Sequence, residues 1–561
     1  MSYFKTPGVY IKEQDAFGSS VVAVPTAVPA FIGYTQRADI DGNSQLMKAV
    51  KIRTFPEFRE VFGGGPNTQF DINIGADGVM NLNPVSDKYF MYSGINGFYA
   101  NGGGQMYVVS IGTYGDEVDS EKMLQAIELL TRESEPTLLV IPDAVLLEKD
   151  DCYSIYKTML QHCGIKMKSR FAILDVYGGH NEKSMDKDIQ DFREGVGSNA
   201  LAFGAGYYPW VHTTLTPASE VDYRRIADSD KLIKILMDNV KEAMFGGGGG
   251  AANPKMAEAN KLIASIKADL SNLDDVGKKL AAIDKGFTKP KDKDAAKVKA
   301  ALSAKAKELL AGEGAAVDPN SPEGRKLAQI EAAINRIKDD SDDPKAVHSV
   351  VASLAPIYKT ILKNVRESMN LVPPSGIMAG VYSLVDNTEG VHKAPANVSL
   401  NSVIKPSVNI NSDDQEDLNS PLSGKAINAI RSFVGKGVLV WGARTLDANS
   451  QDWRYIPVRR TMIMIQQSIK NAVEAYVFEP NVSRTWLKLK TSIENFLGDV
   501  WKNGSLAGAS PTQAYEVNVG LGSTMTPNDI LEGIMRISVK CAITRPAEFI
   551  EITFEQKMQE S

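Results

Sequence analysis

The residues in this chain that could do chemistry sit at spacings that do not support it. Ser423-Gly424-Lys425-Ala426 comes nearest to a phosphate-cradling loop. Such a loop needs a glycine five positions before its Gly-Lys pair and a magnesium-binding hydroxyl after it. Asn419 and Ala426 occupy those two places. Gly102-Gly103-Gly104 and the run Gly246 to Gly250 lack the spaced pattern that opens a helix on a pyrophosphate, so they read as a turn and a linker. Gly504-Ser505-Leu506-Ala507-Gly508 is one residue too long before its second glycine to present a nucleophilic serine. The histidines, His162, His180, His212, His348 and His392, contain no i, i+4 pair that could hold a metal on one helix face. Cys152 and Cys163 flank His162 at no common zinc spacing, and three cysteines give no disulfide framework, so inert thiols are expected. Asp339-Asp340-Ser341-Asp342-Asp343 lacks the glycine and closing glutamate of a calcium loop and reads as a solvated acidic turn. The expectation is a protein with no catalytic residue, no cofactor and no metal.

Binding chemistry is better represented. Ser483 is placed to cap a helix on which Trp486, Leu489, Ile493, Leu497 and Val500 line one face. Arg484, Lys488, Asn495, Asp499 and Lys502 then fall on the opposite face, with Lys490 on the flank and able to snorkel outward. A solvated face and a docking face fit this pattern equally. The chain ends carry a second signal. Val9 and Ile11 alternate with Tyr10 and Lys12 directly after Thr6-Pro7-Gly8. Ile537, Val539, Cys541 and Ile543 alternate with polar or small residues, and beyond Pro546 so do Ile550, Ile552 and Phe554. A period of two with one apolar face marks half-buried strands. Terminal strands without a neighbour in sequence must join a sheet, either their own or another chain's.

The elements that position these residues fall into several regions. A chain of 561 residues has length for several domains, and its 43% hydrophobic and 23% charged content is ordinary for a globular protein. A net charge of −6 argues against a dedicated nucleic-acid or anionic-membrane binder. No run is apolar for the roughly eighteen residues of a membrane span, and the start lacks a secretory core, so cytoplasmic synthesis is expected. The expected order is an arm at 1–20, a β-rich domain at 21–110 and an α/β domain at 111–245. A helical insertion at 246–370 follows, exposed on its glycine linker, then an α+β domain at 371–545 and a second arm at 546–561. Within the insertion, Leu262, Ile266, Leu270 and Leu273 form one amphipathic stripe and Leu327, Ile330 and Ile334 another.

Several segments, taken in order, carry a resemblance. Thr6-Pro7-Gly8-Val9-Tyr10-Ile11 opens the chain. Pro373-Pro374-Ser375-Gly376 leads through Gly380-Val381-Tyr382 to Lys393-Ala394-Pro395-Ala396-Asn397. Gly437 to Leu446 precedes Trp453-Arg454-Tyr455-Ile456-Pro457-Val458-Arg459-Arg460. Thr526 to Gly533 and Arg545-Pro546-Ala547-Glu548-Phe549-Ile550 close it. Together they resemble the contractile tail sheath proteins of phages and phage-like injection machines, closely over 371–556 and loosely over 1–212.

The resemblance implies a multidomain α+β and α/β subunit that polymerises around an inner tube and shortens to drive that tube through a target envelope. It implies strand exchange between neighbours through Val9, Tyr10, Ile11, Ile537, Val539, Cys541, Ile550, Ile552 and Phe554. It also implies tube docking through Arg484, Lys488, Lys490 and Lys502. The implied partners are further copies of the chain, the tube protein, and baseplate and cap proteins, with no nucleic acid and no membrane insertion. The energy would lie in a metastable extended lattice, without nucleotide hydrolysis. A static strand-exchanged shell protein is the first alternative. An enzyme with an unrecognised site in residues 120–212 is the second.

Overall fold

The computed structural model describes residues 21–74, 80–85, 88–245, 321–338 and 343–552. Val9, Tyr10, Ile11, Phe554 and the Leu262–Leu273 stripe lie outside the described residues. The chain divides into two compact units. One takes the residues up to 68, 86–216 and those from 369 onward; the other takes 69–85 and 217–368.

The first unit is organised by one sheet. Its early strands are β1 (Pro29–Thr35), β2 (Ala49–Ile52), β3 (Met106–Thr113), β4 (Leu138–Val140), β5 (Phe171–Asp175) and β6 (Gly204–Tyr208). β7 (Val211–Thr213), β8 (Leu371–Val372) and β9 (Val403–Pro406) form a separate three-stranded sheet. β10 (Ile427–Phe433) and β11 (Gly437–Trp441) return to the large sheet, whose order is β11-β10-β6-β5-β4-β1-β3-β2. The six inner strands run parallel, and β2 and β11 are antiparallel edges. A parallel sheet covered on both faces needs strands that are apolar throughout. β1 meets this with Ala30, Ile32 and Tyr34 in one core and Phe31 in the other.

This sheet corrects the expected division of the chain. The boundary at 110/111 falls inside β3, and β10 and β11 come from the segment assigned to a separate C-terminal domain. Parallel pairing is made through long crossovers, so neighbours in a sheet can be distant in sequence, and an apolar run does not say which sheet it joins.

Two helices, α1 (Met91–Ala100) and α2 (Ser375–Thr388), pack against each other on this sheet. A Cβ on Gly376 would lie 2.4 Å from the Gly94 Cα, so the crossing needs glycine at that contact. Both helix starts are held by carboxylates that follow or end a strand. Asp143, beyond β4, accepts hydrogen bonds from the backbone N–H groups of Tyr34, Phe90 and Met91 at 3.1, 2.5 and 3.0 Å. Asp175, the last residue of β5, accepts from the Ser375 N–H at 2.7 Å.

The C-terminal part of this unit includes α3 (Ile456–Glu474), α4 (Ser483–Lys502), β12 (Tyr515–Val519) and β13 (Ile537–Cys541). Pro457 sits in the first turn of α3, where its missing N–H costs nothing. α4 is capped by the extended Val482 rather than by Ser483, whose side chain makes no cap bond. Leu489, Ile493, Phe496, Leu497 and Val500 form its buried face, while Trp486 is only half-buried. Against that face packs Val517 of β12.

In the second unit Phe70–Ile74 pairs antiparallel with Met80–Pro84. Helices Ser229–Phe245, Pro322–Asn335 and Pro344–Leu354 follow, and Pro356–Met369 runs out of the unit. Ser321 and Asp343 cap the second and third of these through the N–H groups of Gly324 and Lys345. Ile334, Val347, Val351, Tyr358, Ile361 and Val365 are buried. The helical region thus begins before the expected Gly246 boundary and takes in a hairpin from residues 69–85, which no local pattern announces.

Candidate functional site

The two described ends of the chain meet one hydrophobic cluster. Met464 and Ile465 of α3, the buried face of α4, Leu506, Ala514 and Val517 form its core. Val21 and Val24 pack on it from the N-terminal side, as do Ile537, Val539, Cys541 and Ile543 from the C-terminal side. Val21, at the start of the described residues, and Ile543, near their end, are therefore both seated on this module.

The N-terminal exit is fixed by polar contacts. The Val24 N–H donates to Ser468 Oγ at 3.0 Å. Thr26 donates its hydroxyl to Asp386 at 2.5 Å and accepts from Arg460 Nη2 on its carbonyl at 3.0 Å. Asp386 and Arg460 form a two-pronged ion pair at 2.9 and 2.5 Å, and the guanidinium also lies over the Tyr382 ring.

β12 and β13 pair antiparallel, placing Ile537 opposite Val519, Val539 opposite Val517 and Cys541 opposite Tyr515. The first three predicted C-terminal exchange residues are therefore half-buried members of their own chain's sheet. That sheet has two strands. Along 515–519 and 537–541 each strand keeps one side without a strand partner among the described residues. A two-stranded ribbon is marginal by itself and presents rows of unpaired N–H and C=O groups.

The C-terminal exit is fixed at Glu548. Arg444 donates to its carboxylate through Nε at 3.0 and 3.2 Å and through Nη2 at 2.7 Å. Asn419 Nδ2 donates at 2.7 Å and the Tyr455 hydroxyl at 3.1 Å. Burial pushes the Glu548 carboxyl up, but the hydrogen bonds from Arg444 and Asn419 outweigh it and hold the group below the ordinary glutamate value. Immediately beyond, Phe549, Ile550 and Ile552 are 76%, 79% and 67% exposed. A cavity of about 670 Å³ opens beside the clamp, with Asn397, Trp441, Phe549 and Ile550 in its wall.

On α4, Arg484, Lys488 and Lys502 are exposed and Lys490 is intermediate. Lys502 pairs with Asp499 at 3.2 Å and Lys490 with Glu494 at 3.7 Å, so part of the expected positive stripe is neutralised locally. Arg484 and Lys502 are eighteen positions apart, five whole turns, and share one side of the helix.

Sequence reasoning missed Arg444, Glu548, Asn419, Tyr455, Asp386, Arg460 and Thr26 as a working set. Four of them stand in the resembling segments, yet nothing in spacing pairs Arg444 with a glutamate 104 residues later. The available signal was chemical: an arginine inside an apolar strand region needs a carboxylate. A Ser–His contact was also missed, with Ser505 Oγ 2.9 Å from His392 Nδ1. Burial holds this imidazole below its ordinary value, and among the described residues no carboxylate is hydrogen-bonded to the ring. The carboxylates of the α/β region are likewise engaged. Burial raises Asp143 to about 6 and Asp175 to about 7, against the helix-start N–H groups that lower them. Among the described residues no three His, Cys, Asp or Glu side chains could hold a metal, and no helix is long and apolar enough to cross a membrane.

Comparison with known proteins agrees with this architecture. Residues 448–557 match the phage tail sheath C-terminal domain family. The tail sheath protein of Vibrio phage KVP40 is 24% identical over 200 residues, a match that takes in 35% of this chain and 28% of that protein. The fold matches the anti-feeding prophage helical sheath in its contracted state with a TM-score of 0.55 and 24% identity, covering 99% of this chain and 100% of that one. It matches the sheath complex of the extracellular contractile injection system PVC, also contracted, with a TM-score of 0.54 and 22% identity, covering 99% of both chains. The large parallel sheet and the α+β module thus belong to a fold that this chain shares with these solved sheath structures. The family match is confined to the C-terminal segment 448–557, and the likeness of the rest of the chain to the solved sheath structures is a likeness of fold.

Proposed function

We propose that this protein is the repeating subunit of a contractile sheath in a phage tail-like injection particle, and that copies are joined by exchanged terminal strands. The observation that supports this most directly is the arm-bearing module. Val21 and Ile543 both pack on it, its β12–β13 sheet has two strands among the described residues, and Phe549, Ile550 and Ile552 are exposed. An open sheet edge takes a strand from another chain through main-chain hydrogen bonds. In the polymer, arm residues of adjoining copies extend the β12–β13 sheet, and the linked sheets act as hinges while the bodies repack. The exposed face of α4 docks on an inner tube through Arg484, Lys488 and Lys502, and the sheath is nucleated on a baseplate and closed by a cap. The test is electron microscopy of the purified protein with and without its tube protein. Hollow cylinders of uniform width are expected in both, with an extended form only around tubes. Monodisperse small particles at all concentrations would overturn the reading.

A further inference from the structure

The Glu548 clamp is built beyond what a chain end needs for packing. The carboxylate receives hydrogen bonds from Arg444, Asn419 and Tyr455, which use both of its oxygens. Arg444 is held in turn on its other side, where Nη1 donates to the Asn419 carbonyl at 2.9 Å and to Ser420 Oγ at 3.2 Å. Its backbone is tied to β10: the Asn428 side chain accepts from the Arg444 N–H and donates to the Arg444 carbonyl, both at 2.8 Å. The same Asn428 amide reaches the Gly206 carbonyl of β6 at 3.2 Å. A continuous polar path therefore runs from the start of the C-terminal arm into two strands of the central sheet. It does not pass through α3, α4 or β13. One residue past the clamp the apolar side chains become exposed.

We infer that the Arg444–Glu548 clamp is the mechanical anchor of the C-terminal arm, transmitting pull from a neighbouring copy into the central sheet. Residues up to Glu548 move with their own subunit, and those from Phe549 onward move with the neighbour that holds them. Arg444 and Glu548 are positioning residues here: they act by holding the arm of their own chain. Charge-assisted, two-pronged pairs suit this role because they resist both sliding and rotation. The pull itself rests on the sheath reading, whereas the tether does not.

The test therefore has two arms. In isolated subunits, a nitroxide label is placed at Ile550→Cys in a Cys541→Ser background. Adding Glu548→Gln, which keeps the side chain's size, should raise the ratio of mobile to immobile label roughly ten-fold, the scale set by losing one charged pair. Thermal unfolding of the body should fall only modestly, because the buried Arg444 loses its carboxylate but keeps its bonds to the Asn419 carbonyl and Ser420 Oγ. An unaltered spectrum would overturn the anchor whatever the protein assembles into. In assembly, Glu548→Gln should give short or ruptured cylinders where wild type gives long ones. Replacing Asn419 and Glu548 by cysteines joined with a short bismaleimide should restore their length, which a purely local packing role would not. Full-length, intact cylinders from Glu548→Gln would overturn the load path. If wild type itself forms no cylinders, the sheath reading fails, and the label still decides whether the clamp holds the arm.

Discussion

Arg460 and Asp386 form an ion pair in which each side chain is only 3% exposed, and both partners hold Thr26. The pair joins α3 to α2 and pins the segment that leads from the N-terminal arm into β1. An ion pair this deep is not justified by its own strength, because desolvating two charges roughly cancels their attraction. Its value lies in position. It holds Thr26 to α2 and α3, as Arg444 holds Glu548 near the other end of the described residues.

The first prediction follows from that asymmetry. Asp386→Ala leaves the Arg460 charge buried without its carboxylate and should cost about 3–5 kcal/mol of stability. Asp386→Leu combined with Arg460→Met should recover most of it, since an apolar pair of similar size removes both desolvation costs. Denaturant unfolding of the three proteins checks this. A double variant no more stable than Asp386→Ala would show that the pair contributes through its hydrogen bonds to Thr26 rather than through charge.

What the sequence made legible divides along physical lines. A strand such as β1 is legible because a buried parallel strand is a short, continuous apolar run, as in Ala30-Phe31-Ile32-Gly33-Tyr34. α4 was visible because its apolar residues recur at 3.6. The membership of β10 and β11 in the large sheet was not visible, since parallel pairing depends on crossovers and not on local pattern. Arg444–Glu548 was hidden for a related reason: an ion pair between segments 104 residues apart leaves no periodic trace. Phase alone places Trp486 on the apolar face of α4. In the structure its ring is half-buried, and its N–H donates to Asn481 Oδ1 at 2.6 Å, which ties α4 to the loop before it.

A second prediction separates the two compact units. Ile361 is fully buried in the unit formed by 69–85 and 217–368. Ile361→Asp would place a carboxylate in that core, at a cost of several kcal/mol. Scanning calorimetry should show that unit's transition lost while that of the sheet-bearing unit stays within a few degrees. Loss of both transitions together would mean that the units do not fold independently.

The third prediction concerns pH. Burial raises Asp175 to about 7, only partly opposed by the hydrogen bonds from Ser375. A carboxyl whose pKa is higher folded than unfolded binds its proton more tightly in the native state. Its contribution is therefore complete below the unfolded value near 4 and is lost as pH rises through about 7. His162 acts in the opposite sense: burial and the adjacent Arg170 lower it to about 4, so its contribution is lost as pH falls through that range. Comparing Asp175→Asn with wild type isolates the first effect. The melting temperature of the variant relative to wild type should rise from pH 5 to pH 8. A difference that stays flat would mean that Asp175 titrates normally.

The fourth prediction removes residues 1–18. The described body begins at residue 21, and its N-terminal attachment runs through Val24 and Thr26, which the deletion spares. The truncated protein should be soluble with an unchanged melting temperature, because each core is complete without the arm. It should fail to form long cylinders, because the donated main-chain hydrogen bonds are gone. Cylinders of normal length would end the case for N-terminal strand exchange.

The last prediction tests the exposed face of α4. Lys502 is already paired with Asp499, while Arg484 and Lys488 have no carboxylate partner among the described residues. An acidic tube surface would therefore meet its strongest attraction at the start of the helix. Single exposed pairs contribute only about 0.2–1 kcal/mol, but a lattice repeats them in every subunit and the effects add along the polymer. Changing Arg484, Lys488 and Lys502 together to Glu should leave subunit melting unaltered, since all three side chains are exposed and lie away from Leu489, Ile493 and Val500. It should abolish extended sheaths around tubes while tube-free cylinders still form. Within the set, Arg484→Glu alone should weaken tube assembly more than Lys502→Glu alone, because the latter charge is partly satisfied at home. Raising ionic strength should reproduce part of the loss in wild type by screening these exposed charges. If the triple variant coats tubes with normal yield and salt tolerance, the docking surface lies elsewhere on the subunit. If Lys502→Glu proves the more damaging single change, Asp499 does not neutralise its neighbour, and the tube contact is centred on the end of α4.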